Sequence, residues 1–135
     1  MLISVITVCH NSASTLVRTL NSVAGQDWPD VEHILIDGAS NDGTQTIINQ
    51  FSSQIDFVLS EPDSGIYDAM NKGIANASGD VIGFLNSDDV FFSDYVLRNV
   101  ADVFGADDSV SAVYGDLQYV KQTGIDKVVR NWRSK

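Results

Sequence analysis

At 135 residues the chain is long enough for one domain, which would bury roughly two-thirds of the surface that its unfolded form exposes. It has 44% hydrophobic and 19% charged residues and a net charge of −10, a composition typical of a globular protein and not of a disordered one. Residues 1–120 hold 17 acidic and three basic side chains, whereas residues 121–135 hold one acidic and five basic. Because nucleic acid is bound through several phosphate-neutralising Lys or Arg side chains, this charge balance argues against a nucleic-acid partner.

The sequence also indicates a compartment. Its apolar runs fall well short of the roughly 20 residues that a membrane-spanning helix needs. The residues after Met1 lack the basic segment and cleavage site of a signal peptide. A single cysteine, Cys9, cannot form an internal disulfide, and reduced thiols are typical of the cytoplasm. We therefore expect a cytoplasmic protein.

Short apolar runs alternate with helical patterns along the whole chain. The pattern predicts strands at residues 2–9, 31–36, 55–59 and 81–85, followed by two later strands at 110–120 and 125–129. It predicts a helix whose start is capped by Asn11 or Ser12, one that starts at residues 41–44, one over residues 66–77, and one whose start is capped by Ser93 or Asp94. Helix-length crossovers between strands indicate a mostly parallel sheet with helices on both faces. The prediction is a single three-layer α/β/α domain over residues 1–135.

Polar side chains follow each of the first four predicted strands. In chain order these strand ends are Cys9-His10-Asn11, Asp37-Gly38, Ser60-Glu61 and Asn86-Ser87-Asp88-Asp89. In open α/β sheets, ligands bind outside the carboxyl ends of the strands. The sequence therefore predicts that these four ends converge on one crevice.

Several charged side chains can each be interpreted in two ways. Asp88 and Asp89 repel one another, which a hard oxygen-binding cation such as Mg²⁺ or Mn²⁺ would relieve, although the pair could also be a helix-capping cluster. Asp37 could accept the imide N–H of a uracil or an N–H edge of guanine, or could belong to an ordinary strand-to-helix loop in which Asp42 caps the helix. Lys72 could contact a phosphate or be a solvated helix residue.

Four segments together resemble family 2 glycosyltransferases of the GT-A fold. They are residues 4–11 (Ser-Val-Ile-Thr-Val-Cys-His-Asn), 36–44 (Ile-Asp-Gly-Ala-Ser-Asn-Asp-Gly-Thr), 65–74 (Gly-Ile-Tyr-Asp-Ala-Met-Asn-Lys-Gly-Ile) and 86–89 (Asn-Ser-Asp-Asp). The third segment resembles bacterial members that build exopolysaccharide and lipopolysaccharide, such as colanic acid transferases. The resemblance covers essentially the whole chain, in the family's motif order.

The resemblance implies an inverting transferase that moves a sugar from a UDP- or GDP-linked donor to a hydroxyl of a saccharide or lipid-linked saccharide acceptor. It implies that Asp88, with Asp89 beside it, coordinates Mn²⁺ or Mg²⁺ against the diphosphate. The implied donor-binding residues are Thr7, Cys9, Asn11, Asp37, Asp68, Lys72, Asn86, Ser87 and Asp88.

Three departures from the family pattern matter. Asn86 stands where many relatives have the first acid of the metal motif, and Met70 stands where some have an Arg near the phosphates. Relatives also continue beyond the position of Lys135, through the acceptor-binding half that supplies the catalytic base. Asp116 is the one late acid near a predicted strand end, and the family pattern favours it as a sugar-side contact. We therefore expect a truncated donor-binding half that transfers sugar poorly alone and exposes apolar surface that favours a homodimer.

Other functions compete with this interpretation. A non-catalytic nucleotide-sugar-binding or interaction module would explain Asn86 and the missing base. A phospho-receiver domain would need its acid pair at the end of the first strand, where this chain has Cys9-His10-Asn11. The basic tail, residues 127–135, could touch an anionic membrane peripherally or be a solvated terminal segment.

Overall fold

The computed structural model describes residues 1–134, and Lys135, one of the five basic residues of the tail, lies outside the described residues. The elements in chain order are β1 (Ile3–Cys9), α1 (Leu16–Ala24), β2 (Val31–Asp37), α2 (Thr44–Gln50), β3 (Phe57–Ser60), α3 (Ile66–Asn76), β4 (Val81–Phe84), α4 (Val96–Ala106), β5 (Leu117–Lys121) and β6 (Gly124–Trp132). The chain divides into two compact units, Met1–Ala101 and Asp102–Lys135. The prediction of a single domain over 1–135 stays a prediction.

The first unit is built on a four-stranded parallel sheet in the order β3-β2-β1-β4. The central strand β1 is buried at every position, because it is paired on both sides and covered on both faces. Its β-branched run suits such a position. The predicted alternation of strand and helix with a parallel sheet is confirmed.

Helices cover the sheet on both faces, and each face has its own apolar core. On one face, α1 and α2 pack on β1 and β2 through Leu16, Leu20 and Ile48. The residues Leu97 and Ala101 of α4 belong to a second apolar cluster, which also packs on β1. On the opposite face, α3 packs on the sheet through residues that approach closely, because a Cβ at Gly73 would lie 2.4 Å from Ile6 Cγ2.

Two predicted helix starts are wrong, and each has a visible cause. The first helix begins at Leu16 and not at Asn11 or Ser12, because Asn11 adopts a positive φ of 50° and a separate turn follows Ser12. The fourth begins at Val96 and not at Ser93 or Asp94. There the side chain of Gln26, from the end of α1, supplies the cap by accepting a hydrogen bond from Leu97 N (3.0 Å).

The predicted strand at 110–120 is also wrong over most of its length. Only Leu117–Lys121 is a strand, and within residues 1–134 it pairs with β6 alone, in an antiparallel hairpin. The hairpin ladder begins at the pair formed by Leu117 and Trp132, so residues 110–116 of the predicted strand lie outside it. In the part of the chain that is described, no helix has the length and apolar character to cross a bilayer.

Candidate functional site

The carboxyl ends of the four parallel strands lie along one edge of the sheet, as predicted. Cys9 is in register with Asp37, and Asp37 with Ser60, so three strand ends stand side by side. The loop after β1 reaches the loop after β4 through a hydrogen bond of 2.8 Å between the hydroxyls of Ser12 and Ser87. The predicted gathering of these polar strand ends at one edge is therefore confirmed.

Asp37 is the centre of a buried hydrogen-bond network at the end of β2. Its side chain is fully buried and accepts hydrogen bonds from the hydroxyl of Ser40, the hydroxyl of Ser60 (2.6 Å) and the amide nitrogen of Gln45 (3.5 Å). The backbone N–H of Ser40 also points at both carboxylate oxygens, at 3.3 and 3.2 Å. Through these hydrogen bonds Asp37 fixes the conformation of the loop that follows β2. That it also contacts a nucleotide base stays a prediction.

Two predicted donor contacts, Thr7 and Cys9, lie beneath this edge. Thr7 is fully buried and its hydroxyl shares a hydrogen bond of 3.0 Å with His33 Nε2. Cys9 is buried and its thiol donates to Asp37 Oδ1 at 3.6 Å. Burial and the Asp37 charge raise the pKa of the Cys9 thiol, so it remains a neutral donor. Both side chains support the floor of the edge, and their contact with a donor stays a prediction.

The loops after β1 and β2 are tied together across the same edge. Asn11 N donates to Ser40 Oγ (2.7 Å), and Asn11 Oδ1 accepts from Asn41 N (3.0 Å). One step along, Ser12 N donates to Thr44 Oγ1 (2.8 Å). Asn11 and Ala39 both have positive φ, at 50° and 57°, which is uncommon for residues other than glycine. Strain of this kind persists where surrounding bonds determine the conformation, and it clusters at ligand-binding sites.

Gly38 lies where these loops leave no room for a larger side chain. A Cβ at this position would stand 2.6 Å from Asp63 Oδ2 and 3.3 Å from His10 Nδ1. The His10 ring also shares a hydrogen bond of 2.9 Å with Gly38 O. Asp63 and His10 therefore flank the end of β2 from two different loops.

The end of β4 is organised differently. Ser87 is buried, Asn86 is half-buried, and Asp88 and Asp89 are exposed. Burial and the charge of Asp88 raise the pKa of the Asp89 carboxyl. The side-chain oxygen of Asn86 is buried and lacks a hydrogen-bond partner among the described residues. Unsatisfied buried oxygen and repelling carboxylates together favour a positive ligand at this strand end.

These residues fit a divalent cation of the hard, oxygen-preferring class. Within residues 1–134, no cluster of three or more His, Cys, Asp or Glu side chains could hold a metal by itself. Mg²⁺ and similar ions are commonly held by one or two carboxylates, with water and substrate phosphates completing the shell. Asp88, Asp89 and the Asn86 oxygen supply that smaller set. Their role as metal and donor ligands stays a prediction.

Lys72 and Asp68, both predicted donor contacts, are in the structure part of one charged cluster on α3. Lys72 Nζ lies 2.8 Å from Glu61 Oε1 and 3.5 Å from Asp68 Oδ2, and it donates to Pro62 O at 3.0 Å. Asp68 Oδ2 also accepts from Ser64 N at 2.9 Å. These bonds raise the pKa of Lys72, Glu61 contributing most, and hold it protonated. The cluster fastens the loop between β3 and α3.

Sequence reasoning missed some of the residues that build this edge. Gln45, in the first turn of α2, joins three groups: Asp37, Ser40 O (3.2 Å) and Ser60 Oγ (3.2 Å). Nothing in its sequence context distinguishes it from any other solvated helix residue. The hydrogen bond between Ser12 and Ser87 likewise has no signal in the local sequence. The hydroxyl of Ser60 could have been found, because strand register places it beside Asp37. The hydroxyl of Ser40 could have been found because it follows Asp37 by only three residues in the same loop.

Comparison with known proteins identifies the family. The sequence matches the family profile described as Glycosyl transferase family 2 over residues 4–133. An uncharacterised glycosyltransferase of Mycobacterium tuberculosis is 38% identical over 127 residues, which is 93% of this chain and 48% of the relative. A PGL/p-HBAD biosynthesis glycosyltransferase of Mycobacterium bovis is 36% identical over 117 residues, covering 84% of this chain and 46% of the relative. The chain thus spans about half the length of the curated relatives it matches.

Solved structures show the same fold. S. aureus TarS in complex with UDP-GlcNAc has a TM-score of 0.71 and 27% identity, and the match covers 78% of this chain and 32% of TarS. The mannosyltransferase PcManGT from Pyrobaculum calidifontis, solved with GDP-Man and Mn²⁺, has a TM-score of 0.72 at 22% identity, over 88% of this chain and 35% of PcManGT. The predicted GT-A fold is confirmed. With the family profile matching nearly the whole sequence, this chain belongs to glycosyl transferase family 2.

Proposed function

We propose that this chain is the donor-binding part of an inverting glycosyltransferase that moves a sugar from a UDP- or GDP-linked donor to an acceptor hydroxyl in bacterial surface polysaccharide synthesis. One observation carries the proposal: a buried hydrogen-bond network around Asp37 shares one edge of the sheet with a strand end that holds the adjacent acids Asp88 and Asp89 and the unsatisfied oxygen of Asn86. The nucleotide-sugar complex of TarS supports the same class of donor.

The part of the edge formed by the Asp37 network would hold the base and ribose of the donor. Asp37 shapes the loop after β2 through Ser40 and Ser60. Asn11 locks that loop to the one after β1, with Thr7 and Cys9 as the floor. A pocket whose walls are fixed before binding loses less conformational entropy when a nucleotide enters it.

The acidic side of the edge would hold the diphosphate through a cation. Asp88 and Asp89 would ligate Mn²⁺ or Mg²⁺, with the Asn86 oxygen as a third donor and Ser87 anchoring the loop to Ser12. Bound there, the cation supplies positive charge to the leaving diphosphate. The protein's own part is to hold these side chains in position. Lys72 and Asp68 fasten the neighbouring loop, and contact of either one with the donor is part of the proposal.

The acceptor and the catalytic base belong to the part of the family that lies beyond this match. An inverting reaction needs a carboxylate to remove the proton of the attacking hydroxyl. We assign no base within the chain. A saccharide or lipid-linked saccharide is the proposed acceptor, and the cytoplasm is the proposed location.

A second candidate function, a non-catalytic nucleotide-sugar-binding module, is favoured by one observation. Asn86 is an amide where many relatives have an acid, and an amide contributes no charge to a metal site. Sugar transfer in a protein extended to the length of its relatives, abolished by Asp88→Asn, would exclude this candidate.

The proposed donor site can be tested by calorimetric titration of UDP and GDP into the chain, with and without Mn²⁺. We expect one of the two nucleotides to bind, and to bind more tightly with Mn²⁺. Asp88→Asn should reduce the Mn²⁺-dependent affinity by about tenfold or more, since even groups that only support metal ligands contribute that much.

Asp102→Asn is the matched control, because it makes the same change of charge on an exposed side chain of α4. It should leave the affinity unchanged. No binding of either nucleotide under any of these conditions would contradict the proposal, and binding that is indifferent to Mn²⁺ would contradict its metal component.

A further inference from the structure

An open cleft lies at the base of the β5–β6 hairpin, wholly within the second unit. Its volume is about 580 Å³, within the range of small-ligand sites. It is lined by Tyr114, Gly115, Leu117, Arg130, Asn131, Trp132, Arg133 and Ser134. The cleft includes two cationic and two aromatic side chains and no acidic one. In a chain of net charge −10, such a surface is distinctive.

Hydrogen bonds fix the two segments that form the cleft. Asp116 Oδ1 accepts from both Ser134 N (2.8 Å) and Ser134 Oγ (2.9 Å). They join the residues before β5 to the residues after β6, so the cleft does not depend on the hairpin ladder alone. These bonds, followed by the charge of Arg133, lower the pKa of the Asp116 carboxyl. The carboxylate is thereby turned toward Ser134.

The arginine and tryptophan in the cleft form a binding surface of known type. The guanidinium carbon of Arg130 lies 5.5 Å from the centroid of the Trp132 ring. A guanidinium held near an aromatic face still has N–H groups that can donate to an oxyanion. The Trp132 side chain is still 53% exposed, so part of the ring can also meet a ligand.

We propose that this cleft binds an anionic saccharide, in which a phosphate or carboxylate meets Arg130 and Arg133 and the sugar ring packs on Trp132. The charge of the ligand follows from the cleft, because its lining has two guanidinium groups and no carboxylate. The carboxylate of Asp116 is near enough to be influenced by Arg133, but it is bonded to Ser134, and Arg130 adds a second positive charge. The choice of a saccharide as the body of the ligand rests on the proposed function.

The experiment is nuclear magnetic resonance of the ¹⁵N-labelled chain, which has two indole N–H groups. Trp132 lines the cleft, whereas Trp28 lies in the first unit with its indole bonded to Met1 O (3.1 Å) and serves as an internal control. The probes are glucose 1-phosphate, glucuronate, uncharged glucose and inorganic phosphate. We expect the Trp132 signal to shift with the first two probes, more weakly with phosphate, least with glucose, and the Trp28 signal to stay in place.

Charge-matched variants identify the groups involved. R130Q/R133Q removes the two lining charges and should weaken binding of the better anionic sugar by about tenfold or more, the typical value of charge-assisted hydrogen bonds. K121Q/K127Q removes two charges from the same hairpin outside the cleft and should change binding by less than about twofold. Equal losses in the two variants would overturn the proposal.

Anionic membrane is the competing occupant of this basic, aromatic hairpin. Attraction to vesicles of phosphatidylcholine and phosphatidylglycerol depends on the number of charges, so both double variants would lose it alike. Vesicle binding together with an unshifted Trp132 signal in all sugar titrations would overturn the saccharide proposal. An unshifted Trp132 signal with nucleotide binding intact would overturn this inference alone, whereas a shifted signal without nucleotide binding would support it and contradict the donor site.

Discussion

The ends of β2 and β4 share one edge of the sheet but handle their carboxylates in opposite ways. Asp37, at the end of β2, is fully buried and receives hydrogen bonds from Ser40, Ser60 and Gln45. Asp88 and Asp89, just beyond β4, are exposed and adjacent. The pKa of the Asp89 carboxyl is raised, first because this group is partly removed from water and second because of the charge of Asp88.

The difference is the one expected between an acid with a structural role and acids that bind a ligand. A buried charge is tolerated only where the protein itself supplies donors, as it does at Asp37. Carboxylates that lack such partners remain available for a cation from outside. If this comparison is correct, changes at the β2 end should affect the free energy of unfolding, and changes at the β4 end should affect ligand binding.

Asp37→Asn should have the largest effect on stability. The amide replaces one acceptor oxygen by an N–H₂ donor, which would face hydroxyl and N–H donors in a fully buried position. We expect a loss of about 3 kcal/mol in the free energy of unfolding, the scale of two hydrogen bonds to a charged group. Urea denaturation followed by circular dichroism measures it.

Asp102→Asn provides the control for that measurement, because it removes an exposed carboxylate on α4. Its effect should lie within about 0.5 kcal/mol. Equal stability of the two variants would mean that the Asp37 network is not structural.

His33 should give the next largest effect, through pH. Its ring is 2% exposed and shares a hydrogen bond with Thr7, and burial lowers its pKa from 6.5 to about 4 against the opposing influence of Asp56. Because the folded-state pKa lies below the unfolded one, neutral His33 contributes stability that is complete above pH 6.5 and is lost as the pH falls toward 4. The loss attributable to this residue is about 3 kcal/mol across that window.

Denaturation at several pH values can isolate this contribution. His33→Gln should flatten the decline of stability between pH 6.5 and 4, whatever its effect at neutral pH. A His33→Gln variant as acid-sensitive as the parent would contradict the prediction.

The two strand ends also show what the sequence could predict. Strand alternation and parallel topology followed from hydrophobic periodicity, and with them the positions of Asp37 and Asp88 at one edge. The bond from Gln45 to Asp37 could not be predicted, because Gln45 contributes through tertiary geometry that has no local pattern. The same limit applies to Gln26, which caps α4 from 71 residues away and displaces its predicted start.

Lys72→Met should have a smaller and more local effect. The ammonium group links Asp68 of α3 to Glu61 and Pro62 O, which lie on the mostly exposed loop between β3 and α3. Because exposed ion pairs contribute little to global stability, the midpoint of unfolding should change little, whereas amide hydrogen exchange in residues 61–65 should become several-fold faster. The matched control is Lys127→Met in the hairpin, and unchanged exchange in residues 61–65 of the Lys72 variant would contradict the assigned anchoring role.

Asp88→Asn should have the smallest effect on stability and therefore provides the sharpest contrast with Asp37→Asn. Removing the charge of Asp88 removes its repulsion of Asp89, so the pKa of Asp89 should fall toward its ordinary value. The free energy of unfolding should therefore stay within about 0.5 kcal/mol of the parent or rise slightly. A ligand that binds only the folded state raises Tm. Mn²⁺ with UDP or GDP should therefore raise the Tm of the parent chain and of Asp102→Asn but not that of Asp88→Asn. An Asp88→Asn variant as unstable as Asp37→Asn would mean that both strand ends are structural, and the division between them would fail.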